Sequence, residues 1–172
     1  MKKSNKKITI YSDGGSLGNP GPGGFGAVML YGSKRKEVTG GFRLTTNNRM
    51  ELLAVISGLE ALNPNFSYQV DIYSDSRYIV DAINKGWLRK WKFNGWTRGK
   101  KEKVVNTDLW KRLDNLMDQH DVKFNWVKAH VGIPENERCD QLAKQSAGQP
   151  NLPPDIEYEK EKNICKDDNL FK

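Results

Sequence analysis

Cysteine is scarce in this sequence, which contains only Cys139 and Cys165 in 172 residues. Small secreted domains that depend on disulfides need several paired cysteines, so this class is disfavoured. We expect no disulfide between these two residues, because Cys139 lies in a helical pattern and Cys165 in a polar tail. No Cys/His spacing in the chain resembles a zinc site.

Long apolar runs are also missing. No stretch approaches the roughly 20 apolar residues that a membrane-spanning helix needs. The basic start MKKSNKK is followed by ITIYSD, which is too short and too quickly polar for a signal-peptide core. With 37% hydrophobic and 28% charged residues, the composition is typical of one globular domain, and we expect a cytoplasmic location.

Positive charge exceeds negative charge, and the excess is concentrated in one segment. The chain has 28 Lys and Arg against 21 Asp and Glu, a formal net charge of +7. Between Lys85 and Lys103 stand eight basic residues and one acid, so this segment alone carries the whole net charge. Such a concentration is typical of a surface that binds a polyanion.

The order of apolar patterns predicts a mixed α/β domain over residues 1–148. Alternating or β-branched runs predict strands at 7–13, 25–31, 36–44, 68–75 and 122–128. Helix-forming runs predict helices at 45–62, 76–85, 107–120 and 134–147. The first three strands suggest an antiparallel meander, with helices packed on the sheet. From residue 149 to 172 the chain is rich in proline and charge, and we expect a loosely held, flexible tail.

The segment YSDGGSLGNPGPGG, residues 11–24, allows two interpretations. Its GPGGFG match to a dinucleotide-binding loop would need a helix N-terminus next, to face the pyrophosphate. The residues that follow, AVMLY, predict a strand instead, and no Lys-Ser or Lys-Thr pair of a Walker loop is present. A Gly/Pro turn between two strands is therefore the favoured interpretation of the glycines.

The second interpretation of this segment centres on Asp13. Two predicted strands end in the same tripeptide, as ITIYSD at 8–13 and VDIYSD at 70–75. If these strands are neighbours, Asp13 and Asp75 lie side by side at the carboxyl end of the sheet, where ligands bind in open α/β folds. Either aspartate alone is better explained as the start of a turn, and it is the repeat that favours a paired site.

Two further acids extend this pattern. Glu51 shares a predicted helix face with Ala54, Val55 and Gly58, where an unpaired charge is costly to bury. Asp140 lies near the apolar seam of the last predicted helix, although a surface acid is the alternative. Clustered carboxylates suit Mg²⁺ or Mn²⁺, and two such ions promote phosphodiester hydrolysis.

Together these residues resemble the four acidic motifs of bacterial type 1 ribonuclease H. The matching segments are YSDGGSLGNPGPGG, TTNNRMEL, SDSRYIVDAI and HVGIPENERCDQLA, and the similarity runs from about residue 7 to 147. The resemblance implies a ribonuclease H-like fold, with a five-stranded mixed sheet of three antiparallel and then two parallel strands. Helices flank this sheet, and a basic protrusion spans about residues 85–103.

The resemblance also implies an activity: Mg²⁺-dependent endonucleolytic cutting of the RNA strand of RNA–DNA hybrids. A monomer is the default expectation for the chain. Two ions act in catalysis, Mn²⁺ substitutes for Mg²⁺, and the products carry 5′-phosphate and 3′-hydroxyl ends. The implied metal ligands are Asp13, Glu51, Asp75 and Asp140. His130 matches the mobile histidine of the family, which assists proton transfer and product release. A loop histidine with no function is the alternative for His130.

Contacts with the hybrid follow from the same resemblance. Asn19, Asn47 and Asn48, with the backbone of Gly14, are implied to read the 2′-hydroxyls of the RNA strand, and side-chain amides suit a hydroxyl. Turn formation and helix capping are the alternatives for the asparagines. Thr46 matches a family residue that contacts a DNA phosphate.

The basic protrusion is implied to bind the DNA strand through aromatic faces among cations. Its candidate contacts are Trp87, Trp91, Lys92, Trp96, Lys100 and Lys101. Core packing is the alternative for these tryptophans, and among them we expect it most for Trp87. Trp110 and Trp126 are predicted to lie in the core.

Some positions depart from the family pattern. Arg77 stands where relatives commonly carry Gln, and we expect it to contact the hybrid. Ala129 and Ile133 replace Gly and His around His130, which puts the mobility of that loop in question. A non-catalytic hybrid-binding module is the alternative function. The presence of all four acids argues against it, since a pure binder gains nothing from carboxylates that repel one another.

Overall fold

In the computed structural model of this protein, the described chain runs from residue 2 to 167, with side chains described for residues 2 and 6–163. Five strands form one sheet in the order β3-β2-β1-β4-β7. Their bounds are β1 Lys2–Ser16, β2 Gly21–Tyr31, β3 Lys34–Thr45, β4 Phe66–Ser74 and β7 Asp121–Trp126. Strands β1–β2 and β2–β3 pair antiparallel, and β1–β4 and β4–β7 pair parallel. This confirms the predicted mixed sheet.

Helices cover both faces of the sheet. The helices are α1 Asn47–Glu60, α2 Arg77–Asn84, α3 Trp87–Phe93, α4 Thr107–Gln119, α5 Pro134–Ala147 and α6 Ile156–Asp167. Helix α1 packs on β1 and β2 and also against α4, which explains why its apolar residues surround most of its circumference. Helix α5 covers the opposite face, where Cys139 and Leu142 pack on Val28 of β2.

The glycine-rich segment forms strand rather than loop over most of its length. Strand β1 continues to Ser16 and β2 begins at Gly21, so the turn spans only residues 17–20, shorter than predicted. A Cβ on Gly24 would lie 2.2 Å from the carbonyl oxygen of Ala143, and one on Gly26 would lie 2.8 Å from that of Cys139. These glycines therefore let the backbone of α5 approach β2 closely, which places α5 over the end of β1.

Two local structures between α2 and α4 were not predicted. The short helix α3 is followed by a two-stranded hairpin, β5 Thr97–Arg98 and β6 Glu102–Lys103. This protrusion, residues 85–103, contains Gly86, Gly95 and Gly99 at positive φ, together with Trp96 and Lys101. Its frequent changes of chain direction explain why no long periodic pattern marks it in the sequence.

The C-terminal segment is held by the domain, and the prediction of a loosely held tail is wrong for residues 152–159. Asp155 is 5% exposed, and its carboxylate accepts hydrogen bonds from Arg49 on α1. The backbone N–H of Arg43 donates to the carbonyl of Pro153 at 2.9 Å, and Arg43 pairs with Glu159. The predicted boundary at residue 148 stays a prediction.

The remaining expectations concern thiols and membranes. Cys139 is a buried free thiol, whereas the side chain of Cys165 lies outside the described residues. Within residues 2–167, no helix combines the length and the apolar character needed to cross a membrane.

Candidate active site

The site begins with two aspartates at the ends of neighbouring strands. Strands β1 and β4 run parallel, with Ser12 paired to Ser74, so Asp13 and Asp75 follow at the same level of the sheet. This confirms that the repeated YSD tripeptide places two carboxylates side by side. Asp13 is 9% exposed and Asp75 is half-buried, so neither is the freely solvated acid of a surface turn.

Glu51 brings a third carboxylate from α1. Gly14 makes this possible, because a Cβ there would lie 2.3 Å from the carbonyl carbon of Met50. One carboxylate oxygen each of Asp13, Glu51 and Asp75 lies within 4.8 Å of the others. We call these three residues the carboxylate cluster. Oxygen ligands at this spacing have the chemistry and the reach to bind one hard divalent cation.

The electrostatics of the cluster are unfavourable for three free carboxylates. Burial, then the charges of Asp75 and Asp140, raises the pKa of Asp13 to about 7. Burial, then Asp13 and Asp75, raises the pKa of Glu51 well above its usual value, and burial also raises the pKa of Asp75. The Oε2 atom of Glu51 is buried without a hydrogen-bond partner among the described residues. A cation would satisfy this oxygen and relieve the repulsion.

Asp140 occupies a different position from the other three acids. It lies on α5, and its carboxylate is 2.7 Å from the Nζ atom of Lys144, one helical turn further on. Asp140 still raises the pKa of Asp13, so it lies within electrostatic range of the cluster. Asp13 and Asp140 both line a cleft of about 150 Å³, which Asn47 also lines. The structure therefore brings three predicted acids together and pairs the fourth with a lysine.

His130 lies in the loop between β7 and α5. Its side chain is 65% exposed, and its Nδ1 atom is 3.9 Å from the Glu137 carboxylate. Its backbone adopts a positive φ of 55°, and Gly132 nearby also has a positive φ. The charge of a protonated His130 acts to lower the pKa of Asp75, so His130 lies within electrostatic range of that carboxylate. Its role stays a prediction.

Two of the predicted 2′-hydroxyl readers, Gly14 and Asn47, line the cleft. The Oδ1 atom of Asn19 accepts a hydrogen bond from the N–H of Asn47, and the Oδ1 atom of Asn47 accepts from the N–H and hydroxyl of Ser16. Asn48 is exposed, and Thr46 caps α1 by accepting from the N–H of Arg49. The alternatives of helix capping and turn formation are therefore realised. The side-chain NH₂ groups of Asn19 and Asn47 nevertheless stay available to a ligand, because only their oxygens are bonded in the described part of the chain.

The aromatic residues of the protrusion form a groove between α3 and the β5–β6 hairpin. The groove has a volume of about 420 Å³, and Trp87, Trp91 and Arg98 line it. Trp91 packs against the buried Trp110 with ring centroids 5.5 Å apart, whereas Trp87 is 43% exposed. The expectation that Trp87 packs most is therefore wrong, because the first turn of α3 faces the groove.

The basic residues of the protrusion differ in how far their charges are already engaged by other residues of the domain. The Nζ atom of Lys92 is 2.7 Å from the carboxylate of Asp114 on α4, so Lys92 braces the protrusion against the domain. Lys111 of α4 lies over the Trp96 ring at 5.6 Å. Lys100 and Lys101 are exposed at the hairpin turn. The latter two are the better placed for a polyanion, since their charges face solvent.

Three residues near the cluster have contacts that the sequence analysis did not anticipate. Asn136 is 3% exposed, and its hydrogen bond to Asp75 offsets part of the rise that burial causes in the pKa of that carboxyl. Lys144 binds Asp140, and the four-residue spacing on a helix would have indicated this pair. Trp126 is 40% exposed rather than in the core, and the guanidinium of Arg77 lies over its ring. No spacing rule indicates that contact.

Comparisons with known proteins identify the family. The RNase H family model matches residues 5–148. The ribonuclease H of Desulforamulus reducens is 62% identical over 151 residues, which cover 88% of this chain and 94% of that protein. The chain belongs to the RNase H family. It is a nuclease of the hydrolase class, a ribonuclease H.

Solved structures agree with the fold. The crystal structure of LC9-RNase H1, described as a type 1 RNase H with the type 2 active-site motif, matches with a TM-score of 0.76 and 32% identity, covering 84% of this chain and 74% of that chain. LC11-RNase H1, solved in complex with an RNA/DNA hybrid, matches with a TM-score of 0.61 and 23% identity over 81% of this chain and 96% of that chain. The latter likeness supports the fold alone.

Proposed function

We propose that this protein is an endonuclease that hydrolyses the RNA strand of RNA–DNA hybrids with two bound Mg²⁺ ions. The observation that carries the proposal is the carboxylate cluster: three buried or half-buried acids within 4.8 Å at the carboxyl ends of β1 and β4. The many matched relatives named ribonuclease H support the same chemistry. Mn²⁺ is the expected substitute, since both ions prefer oxygen ligands.

The donor set fits divalent cations. Asp13, Glu51 and Asp75 would hold one ion, and Asp13 and Asp140 would hold a second across the cleft that both line. When bound, such ions supply a nucleophilic water and stabilise the charge on the leaving oxygen. Lys144 neutralises Asp140 in this structure, so it competes with a cation for that carboxylate.

The proposed reaction also needs a group that carries protons. In the reaction, a water oxygen bonds to phosphorus, the bond from phosphorus to the 3′-oxygen breaks, and that oxygen takes up a proton. The products are a 5′-phosphate and a 3′-hydroxyl. His130 is the proposed proton carrier, since its imidazole is exposed in the loop before α5 and histidine is the side chain that most often carries protons in catalysis.

The proposed substrate is a hybrid duplex that lies across the cleft and the protrusion. Gly14 and Asn47 line the cleft and would face the RNA strand, together with Asn19, which is bonded to Asn47, and Asn48, which follows it. Thr46 would take a DNA phosphate. The protrusion is proposed to hold the DNA strand through Trp87 and Trp91, which line its groove. The other proposed contacts of the protrusion are Trp96, Lys92, Lys100 and Lys101. We propose a cytoplasmic monomer, and sedimentation of the purified chain tests the oligomeric part.

The first experiment uses one end-labelled RNA in three forms: single-stranded, paired with RNA and paired with DNA. Each form is incubated with the wild type and with the Asp13→Asn variant, in Mg²⁺ and in EDTA. Cleavage of the hybrid alone, abolished by EDTA or by the substitution, is the expected result. Retained hybrid binding without cleavage by the wild type would instead establish a binding module.

A further inference from the structure

The C-terminal helix α6 lies outside the segment that the RNase H family model matches, which ends at residue 148. The domain nevertheless holds the start of this helix. Asp155, directly before α6, accepts a hydrogen bond of 2.7 Å from Arg49 of α1. Glu159, in the first turn, accepts two hydrogen bonds from Arg43 of β3, at 2.9 and 2.7 Å. The first turn of α6 therefore has a fixed place beside α1 and β3.

From this place α6 reaches the basic protrusion. The carboxylate of Glu161 lies 3.5 Å from the Nζ atom of Lys103, the last residue of β6. Among the residues whose side chains are described, Glu161 is the anionic partner of Lys103. The Lys103 side chain is 72% exposed, so a phosphate could also approach it from solvent. The carboxylate stands where a phosphate oxygen would have to bind.

We propose that Glu161 withholds Lys103 from the DNA strand, so that α6 forms an autoinhibitory contact that lowers the affinity of the protrusion for the hybrid. A lysine ammonium is a single point charge, and a carboxylate beside it cancels most of its attraction for a phosphate. Salt and water screen such an exposed pair, so the contact weakens binding without abolishing it. This inference rests on the proposed function, because that function places the DNA strand on the protrusion.

The alternative role for this pair is to brace the hairpin, as Lys92 braces the protrusion through Asp114. An exposed ion pair contributes little to stability, which disfavours bracing for Glu161 and Lys103. The two roles also predict opposite results. Loss of Glu161 would strengthen hybrid binding if the acid competes with phosphate, and would weaken it if the acid braces the hairpin.

The test measures hybrid affinity by fluorescence anisotropy in EDTA at several salt concentrations, so that cleavage is not required. We expect Glu161→Gln to lower Kd about threefold at low salt. The dependence of log affinity on log salt should become steeper by about 0.9, the value for one additional phosphate contact. Glu157→Gln is the matched control. It removes the same charge from the same helix, but Glu157 pairs with Lys160 of α6, at 3.2 Å, instead of with the protrusion.

A double-mutant cycle with Lys103→Ala separates a specific contact from general repulsion. Lys103→Ala should weaken binding about threefold in the Glu161→Gln background and clearly less in the wild type. If Glu161→Gln strengthens binding equally with and without Lys103, or no more than Glu157→Gln does, the inference is overturned. Weaker binding by Glu161→Gln would overturn it in favour of bracing. Thermal unfolding shows that each variant is folded.

Failure of this inference is distinguishable from failure of the proposed function. Replacing Lys100 and Lys101 by Ala tests whether the protrusion binds the hybrid at all. If this variant binds more weakly but Glu161→Gln binds no more tightly than the wild type, the inference alone is overturned. If neither variant differs from the wild type, the proposed binding surface and the inference both fail. If the wild type binds the hybrid without cutting it, the anisotropy cycle still decides the inference.

Discussion

The carboxylate cluster and the basic protrusion are opposite in burial as well as in charge. Asp13 is 9% exposed and anchored between a central strand and two helices, whereas Phe93 at the end of α3 is 90% exposed. The cluster concentrates negative charge where water is scarce, which raises the pKa values of its carboxyls. The protrusion spreads positive charge in solvent. Strong, local electrostatics of this kind suit a reaction, and weak, distributed electrostatics suit binding.

The largest expected effect comes from removing one charge from the cluster. Asp13→Asn should lower the cleavage rate by at least about 10³-fold, because several kcal/mol of charge stabilisation by the metal ions are lost. Hybrid affinity should stay within about threefold, since the protrusion supplies most of the charge contacts. Single-turnover cleavage and anisotropy measure the two quantities. Turnover retained by this variant would contradict the metal assignment.

The same substitution, Asp13→Asn, should lower activity but raise the free energy of unfolding. The folded-state pKa of Asp13 is about 7 against an ordinary 3.8, so between these values the folded chain keeps a proton that the unfolded chain has lost. This proton linkage stabilises the fold at low pH and is lost as the pH rises through 7. Three pKa units correspond to about 4 kcal/mol.

We therefore expect Asp13→Asn in EDTA to be more stable than the wild type at pH 8 by up to about 4 kcal/mol, and equal to it near pH 4. Urea unfolding at pH 4, 6 and 8 measures the difference. Asp118→Asn, at an exposed acid of α4, is the control and should show no such trend. If the difference in free energy of unfolding between wild type and Asp13→Asn stays constant with pH, burial of a charged Asp13 is not what destabilises the wild type.

A second group of buried charges ties the C-terminal segment to α1. Arg49 lies in α1, two residues before Glu51, and its side chain is 2% exposed. It pairs with Asp108 and Asp155. Asp155→Ala leaves the buried guanidinium partly uncompensated and should lower the free energy of unfolding by about 3 kcal/mol. Glu159→Ala breaks the exposed pair with Arg43 and should lower the free energy of unfolding far less, because solvent screens that pair. Urea unfolding compares the two, and equal losses would mean that burial is not the cause.

The smallest effect is expected in the protrusion. Replacing Lys100, Lys101 and Lys103 together by Ala should raise KM about tenfold and reduce the salt slope by one to three units, at about 0.9 per phosphate contact. Stability should change by less than about 0.5 kcal/mol, because these side chains are exposed. KM measured against salt concentration tests the prediction. A slope equal to that of the wild type would remove these lysines from the binding surface.

Much of the site was predictable because it depends on local sequence features. The repeated YSD at two strand ends predicts that Asp13 and Asp75 lie together, and the structure places them so. Glu51 is predicted from a charge on an apolar helix face, and the cluster contains it. The roles of these acids, of Asp140 and of His130 stay predictions. The helices α1, α2, α4 and α5 also follow from periodicity and from caps such as Thr46.

The strands of the main sheet and the segment that carries the net charge are encoded locally, because strand alternation, helix periodicity and charge are properties of neighbouring residues. Contacts between distant positions depend instead on how the elements pack. Arg49 meets Asp155 across 106 residues, Arg77 meets Trp126, and Gly24 admits the backbone of α5. No local pattern records these contacts, since they form only when the packed sheet and helices bring the partners within reach of each other.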